Sequence, residues 1–182
     1  NKMKVLDLFC GLGGWSSAFI EAGYDCTGID IKNIGFPGNF IQADLTDYTT
    51  NEYYDIVLAS PPCTNFSKVV LNWTGKNNES KGLDLVYRTF ALIQEIKPKF
   101  WVIENVKGLS EFIDKPNDII RYGRSAHRKA AYLWSNIGKL GMLDSMITKN
   151  THRKTFKSGD PELAKIPYEL SYAVLKKIQS LT

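Results

Sequence analysis

The chain is poor in the residues that build metal centres and disulfide scaffolds. It holds two histidines and three cysteines, Cys10, Cys26 and Cys63. The cysteines are odd in number and lack metal-ligand spacing, so no metal site is expected. The same scarcity fits a reduced, cytoplasmic protein. No run of 18 apolar residues occurs, which argues against a membrane span. Asn1-Lys2-Met3-Lys4 leads straight into a strand-like run, so no signal peptide is read there. Repeats and low-complexity segments are missing as well.

What is present is ordinary globular material. The 182 residues are 43% hydrophobic and 23% charged, which suits one compact α/β domain with a real core. Charge is unevenly spread. Residues 1–120 carry 11 Lys/Arg against 15 Asp/Glu, whereas residues 121–182 carry 12 against 4. A basic C-terminal third attracts a phosphate backbone, although a solvated basic face has the same composition.

Short apolar runs alternate with helical patterns. Strands are expected at Val5–Phe9, Cys26–Ile31, Phe40–Ala43, Asp55–Ala59 and Phe100–Ile103, with another within Arg128–Asn136. Helices are expected at Trp15–Ala22, Leu83–Ile96 and Pro167–Ser180. The polar stretch Asn72–Gly82 reads as a mobile surface loop. Strand-helix alternation predicts a mostly parallel sheet with helices on both faces. Ligands bind such sheets at the carboxyl ends of the strands. There the first five strands end in a glycine loop, a carboxylate or a Pro-Cys loop, so reactive groups converge on one edge.

Asp7-Leu8-Phe9-Cys10-Gly11-Leu12-Gly13-Gly14 joins a strand to a helix. Glycines allow a tight turn and close approach of a ligand. Asp30, 17 residues after Gly13, is suited to ribose hydroxyls, and Asp44 to an exocyclic amine. Tight packing alone also explains such a loop. The dinucleotide fingerprint G-x-G-x-x-G is not matched, because its third glycine would fall on Ser16, and no P-loop lysine follows.

Ser60-Pro61-Pro62-Cys63-Thr64-Asn65-Phe66-Ser67 places a cysteine just past a strand, behind two stiffening prolines. A lone cysteine is commonly a buried hydrophobe. Phe100-Trp101-Val102-Ile103-Glu104-Asn105-Val106 ends the neighbouring strand in a carboxylate, which is costly to bury without a partner.

Together, Asp-Leu-Phe-Cys-Gly-Leu-Gly-Gly at 7–14, Pro-Pro-Cys at 61–63 and Glu-Asn-Val at 104–106 resemble the signature blocks of cytosine-5 DNA methyltransferases, in order. Cys63 and Glu104 stand 41 residues apart, close to that family's separation. Tyr122-Gly123-Arg124, His127-Arg128-Lys129, Tyr132–Asn136 and Lys165–Leu170 resemble small phage- and prophage-type members.

The resemblance implies a Rossmann-like S-adenosylmethionine-dependent methyltransferase domain over residues 1–182, acting on double-stranded DNA. Cys63 would be the nucleophile, Glu104 and Arg128 (with Arg124 second) would hold the ring, and Asn105 would brace the cysteine loop. Asp7, Phe9, Gly11, Gly13, Trp15, Asp30, Ile31, Asp44, Leu45 and Pro61 would serve the cofactor. Ser60, Pro62, Ser67, Lys68, Arg124, Arg153 and Lys154 would serve the substrate, and Lys76 and Lys81 would be further phosphate contacts. The base must leave the duplex stack to react, and the loop from Thr64 to Gly82 would close over it.

Three departures qualify the resemblance. Thr64 replaces the usual Gln after the nucleophile. Leu163-Ala164 stand where the family has Gly-Asn before the last helix, so the cofactor's amino-acid end is expected to be held in another way. The target-recognition domain is absent or reduced to about residues 137–157. Short sequence specificity, or recognition by a partner chain or a second copy, follows as the expectation. The rival readings are the same chemistry on RNA, a catalytically silent regulatory subunit and a nucleotide-dependent oxidoreductase.

Overall fold

The computed structural model describes residues 2–66, 79–122, 129–141 and 161–182. Among them, seven strands form one sheet: β1 (Lys4–Leu8), β2 (Asp25–Asp30), β3 (Asn39–Gln42), β4 (Ile56–Ala59), β5 (Phe100–Asn105), β6 (Asp118–Tyr122) and β7 (Lys129–Ser135). Their spatial order is β3-β2-β1-β4-β5-β7-β6. Strands β1 to β5 run parallel, and β7 lies antiparallel between β5 and β6. The described helices are α1 (Ser17–Glu21), α2 (Glu79–Ile96) and α3 (Tyr168–Gln179).

Successive strand residues point to opposite faces, and both faces are apolar. Val5, Ile56, Leu58, Phe100 and Val102 pack with Ala18 and Phe19 of α1 and with Leu170, Val174 and Ile178 of α3. Leu6, Leu8, Val57, Ala59 and Ile103 pack with Val86, Leu92, Ile93 and Ile96 of α2. Each large side chain buried this way contributes about 2 kcal/mol. The result is the doubly wound, Rossmann-like α/β architecture that the alternating pattern predicts.

The structure differs from the sequence reading at several boundaries. Strand β6 is absent from that reading, because Asp118–Tyr122 follows a polar run and is short. Helix α1 is only five residues long, since residues 11–16 are turns with positive φ at Gly11 and Gly13. Helix α2 starts at Glu79, so residues 79–82 are helix, not loop. Strand β5 runs on to Asn105, which puts Glu104 and Asn105 inside the strand.

One topological feature locates the site. The chain lays down β1, β2 and β3 toward one edge, then returns to place β4 on the other side of β1. Connections therefore leave β1 and β4 in opposite directions, opening a crevice beyond their carboxyl ends.

Candidate active site

The turn after β1 forms the floor of that crevice. Phe9, Gly11 and Gly13 have φ of +60°, +48° and +74°. The first is an uncommon conformation for a residue with a side chain and concentrates strain at this turn. Asp30, at the end of β2, accepts a 3.0 Å hydrogen bond from the Gly11 amide through Oδ2. The turn is squeezed on both sides. A Cβ on Gly13 would lie 2.7 Å from Pro37 Cδ, and one on Gly14 would lie 2.6 Å from the Ile166 amide nitrogen.

A cavity of about 720 Å³ opens above this turn. Asp44, Leu45 and Thr46, which follow β3, line it together with Asp30, Ile31 and Ile34. Asp7, Phe9, Gly11 and Trp15 come from β1 and its turn, and Ser60, Pro62 and Cys63 from the end of β4. Of the residues expected to serve a cofactor, Gly13 and Pro61 are not among those lining it. Gly13 packs on Pro37, and Pro61 is buried within the loop that leads to Cys63.

The carboxylates here differ in character. Asp7 is 1% exposed and accepts a 2.7 Å hydrogen bond from Ser16 Oγ. Burial pushes its carboxyl up to about 8, against the Ser16 bonds and with a smaller push from Asp30. Asp44 is held below the ordinary carboxylate range by hydrogen bonds from the Thr46 amide and hydroxyl, at 2.9 and 2.7 Å, and by Lys81. Lys81 also lines the cavity, on the side of Asp44.

The three cysteines separate cleanly. Cys10 and Cys26 are buried, and burial raises both thiols, Cys26 to about 12. Such thiols are poor nucleophiles. Cys63 is exposed and opens a single 3-10 turn, Cys63–Asn65, directly after Pro62. The loop that carries it is fastened at several points. Trp15 Nε1 donates to Ser60 Oγ at 2.8 Å, and Asn105 Nδ2 donates to the Pro61 carbonyl at 2.9 Å. Phe66 is buried and its ring meets Phe112 at 5.8 Å. Gly108 lies so close that a Cβ there would be 2.0 Å from the Phe66 carbonyl oxygen.

Glu104 is half-buried on β5, one residue before Asn105. The Tyr122 hydroxyl, at the end of β6, is held above its ordinary range by burial and, less, by electrostatic interaction with Glu104 and Cys63. A single phenol therefore senses both groups that the sequence pairs. In the sequence Tyr122 enters only through the resemblance of Tyr122-Gly123-Arg124 to small phage-type members, because the strand that positions it carries no clear pattern. It also misses Asp84 and Leu85 of α2, and Pro161, Ala164, Lys165 and Ile166, all of which line the cavity. The helical spacing of α2 is the available signal for the first pair.

Ser67, Lys68, Arg124, Arg128, Arg153 and Lys154 lie outside the described residues, as do Lys76, His127 and His152. Most of the expected recognition segment, residues 142–157, lies there too. Among the described residues there is no cluster of three or more metal-ligating side chains, and no helix is long and apolar enough to cross a membrane.

Residues 3–118 match the family described as "C-5 cytosine-specific DNA methylase". A "Probable DNA (cytosine-5)-methyltransferase" of Frog virus 3 is 29% identical over 152 residues, covering 74% of this chain and 71% of that protein. The "Type II methyltransferase M.HindV" of Haemophilus influenzae is 30% identical over 181 residues, covering 84% and 58%. The "Type II methyltransferase M.XorII" of Xanthomonas oryzae is 33% identical over 126 residues, covering 58% and 28%. The chain thus spans most of the viral relative but about half, or less, of the bacterial ones. Among solved structures, the S. pombe Dnmt2 methyltransferase is 17% identical with a TM-score of 0.49, over 86% of this chain and 58% of that one.

Proposed function

The chain belongs to the C-5 cytosine-specific DNA methylase family, and from that premise we propose that it methylates carbon 5 of cytosine in DNA, using S-adenosylmethionine and Cys63 as the nucleophile. The observation that carries this reading is the position of Cys63. It is the exposed thiol, it lines the cavity built on the glycine turn, and its loop is braced by the residue next to Glu104.

The cavity fits the cofactor. Its volume lies in the range of small-molecule sites. Asp30 offers a carboxylate oxygen to ribose hydroxyls, and Asp44 an acceptor for the adenine amine. Ile31, Leu45 and Phe9 supply apolar surface for the rings. When bound there, S-adenosylmethionine supplies an electrophilic methyl group on a sulfonium.

Carbon 5 of cytosine is a poor nucleophile, and Cys63 changes that. Its thiolate adds to carbon 6, the new S–C bond pushing the ring's π electrons toward nitrogen 3 and making carbon 5 enamine-like. Glu104 holds nitrogen 3 and the exocyclic amine and shares a proton there, which offsets the charge that addition builds. Asn105 and Trp15 keep the Ser60–Pro62 backbone in place while the bond forms. Once carbon 5 carries the methyl group, its proton passes to water, the C–H electrons restore the C5–C6 double bond, and the S–C bond breaks with Cys63 leaving as thiolate. The target base must be flipped to reach this geometry.

Arg128 is proposed to hold the ring carbonyl. Ser67, Lys68, Arg124, Arg153 and Lys154 are proposed to contact the strand, drawing on the basic C-terminal third. We read residues 137–157 as a reduced recognition segment. A single DNA-binding module buries roughly 600–1,000 Å², more than so short a segment supplies. Specificity is then short, or a partner chain or second copy adds to it, in a cytoplasmic setting.

The test is a covalent trap. Duplex DNA containing 5-fluorocytosine, incubated with the protein and S-adenosylmethionine, should give a denaturation-resistant adduct that Cys63→Ala abolishes. Labelled cofactor with unmodified DNA and with structured RNA, followed by nucleoside mass spectrometry, should place the label in 5-methylcytosine of DNA. No adduct and no labelled DNA would overturn the reading; label in RNA alone would move the substrate to RNA.

A further inference from the structure

We propose that Lys165 anchors the α-carboxylate of S-adenosylmethionine, standing in for the Gly-Asn pair that this chain lacks before its last helix. The inference rests on the cofactor reading above and deepens it.

Its first support is the way residues 161–166 sit on the glycine turn. The Gly14 backbone lies so close to Ile166 that a Cβ would come within 2.6 Å of the Ile166 nitrogen and 2.7 Å of its oxygen. This pins the residue next to Lys165 against the turn. The neighbouring helix is held to the same place, since Ser171 Oγ donates to the Trp15 carbonyl and accepts from the Ala18 amide at 3.2 Å. Lys165 lines the cavity itself, with its side chain 35% exposed and its Nζ 3.6 Å from Glu162 Oε1.

The second support is the distribution of charge. Among the described residues, the cavity wall holds two cations, Lys81 and Lys165, against Asp7, Asp30, Asp44 and Asp84. Lys81 acts on Asp44, which assigns it to the β3 side. Lys165 is therefore the cavity-lining cation, among the described residues, on the segment that packs on the glycine turn.

The ligand imposes the rest. With adenine beside Asp44, ribose on Asp30 and the methyl group directed at Cys63, the amino-acid end of the cofactor passes over the turn toward Trp15 and residues 161–166. A carboxylate arriving there meets the buried Asp7, which offers it no positive charge, and Lys165, which does. The lysine ammonium gives it a charge-assisted hydrogen bond. Leu163-Ala164 provide no polar side chain for the purpose.

Two ligands that differ only in the amino-acid end test this. S-adenosylhomocysteine carries the carboxylate, and 5′-methylthioadenosine does not. Titration calorimetry should show that Lys165→Met weakens S-adenosylhomocysteine on the order of tenfold and leaves 5′-methylthioadenosine unchanged. Lys165→Arg should restore binding to within about twofold. Equal S-adenosylhomocysteine affinity in Lys165→Met and the natural protein would overturn the proposal, and so would an equal loss for both ligands. If the natural protein binds neither ligand, the cofactor reading falls and takes this inference with it.

Discussion

Asn105 Nδ2 donates a 2.9 Å hydrogen bond to the carbonyl oxygen of Pro61, 44 residues earlier in the chain, and does so fully buried. The other side of the same amide is also used, because Oδ1 accepts from the Val106 amide at 2.9 Å. One side chain thus ties the end of β5 to the loop two residues before Cys63. Asn105→Ala should leave the Pro61 carbonyl without its buried donor, at about 1–3 kcal/mol of stability. It should slow adduct formation on 5-fluorocytosine DNA by at least tenfold, because the thiol loses a fixed approach. Cofactor affinity should change little. Urea unfolding, single-turnover trapping and calorimetry on one variant separate these effects; unchanged trapping would show that the brace is structural only.

Much of this arrangement is legible in sequence, for a physical reason. A parallel sheet needs apolar residues on both strand faces, so its central strands appear as short apolar runs, and β1, β4 and β5 are found that way. The same topology gathers loop residues at one edge, which brings Asp30, Asp44, Cys63 and Glu104 into view before any coordinates. What escapes lies in irregular or peripheral segments. Strand β6 is short, and its ladder to β7 is set by tertiary pairing. The place of Tyr122 at the end of that strand is lost with it. Lys165 lies just beyond the single 3-10 turn Pro161–Leu163, so no periodicity announces it. Its role depends on Gly14, 151 residues away, which no local pattern connects to it.

Arg88 makes a second long-range clamp, on the β3 side of the cavity. Its Nη2 donates to the Tyr48 carbonyl and its Nε to the Leu45 carbonyl at 3.3 Å, while Nη1 is 2.8 Å from Glu95 Oε1. The fork geometry fastens the segment carrying Asp44, Leu45 and Thr46 to α2, and a lysine cannot reproduce it. Arg88→Lys should weaken S-adenosylhomocysteine and 5′-methylthioadenosine alike, by about tenfold, since both carry the adenosine proposed to sit against this segment. The parallel loss distinguishes Arg88 from Lys165. Unaltered affinity for both ligands would show that the segment holds its shape without the clamp.

Asp7 makes stability depend on pH in a direction opposite to that of most carboxylates. Its ordinary value is 3.8, and burial raises it to about 8 in the folded protein. Folding therefore takes up a proton between those values. The stability this group contributes is full below about pH 4 and declines as pH rises toward 8, with a slope of at most about 1.4 kcal/mol per pH unit. The side-chain amide introduced by Asp7→Asn would be neutral throughout and could still accept from Ser16 Oγ, which now bonds Asp7 Oδ2. That variant should therefore gain on the natural protein by at least about 1 kcal/mol between pH 5 and pH 7.5. Urea midpoints at those two pH values measure the difference directly. Because Asp7 also lines the cavity above the glycine turn, S-adenosylhomocysteine titrated at the same two values would show whether its proton is linked to ligand binding. Parallel stability curves for the two proteins would mean that Asp7 is ionised in the fold and stabilised there by its Ser16 bonds.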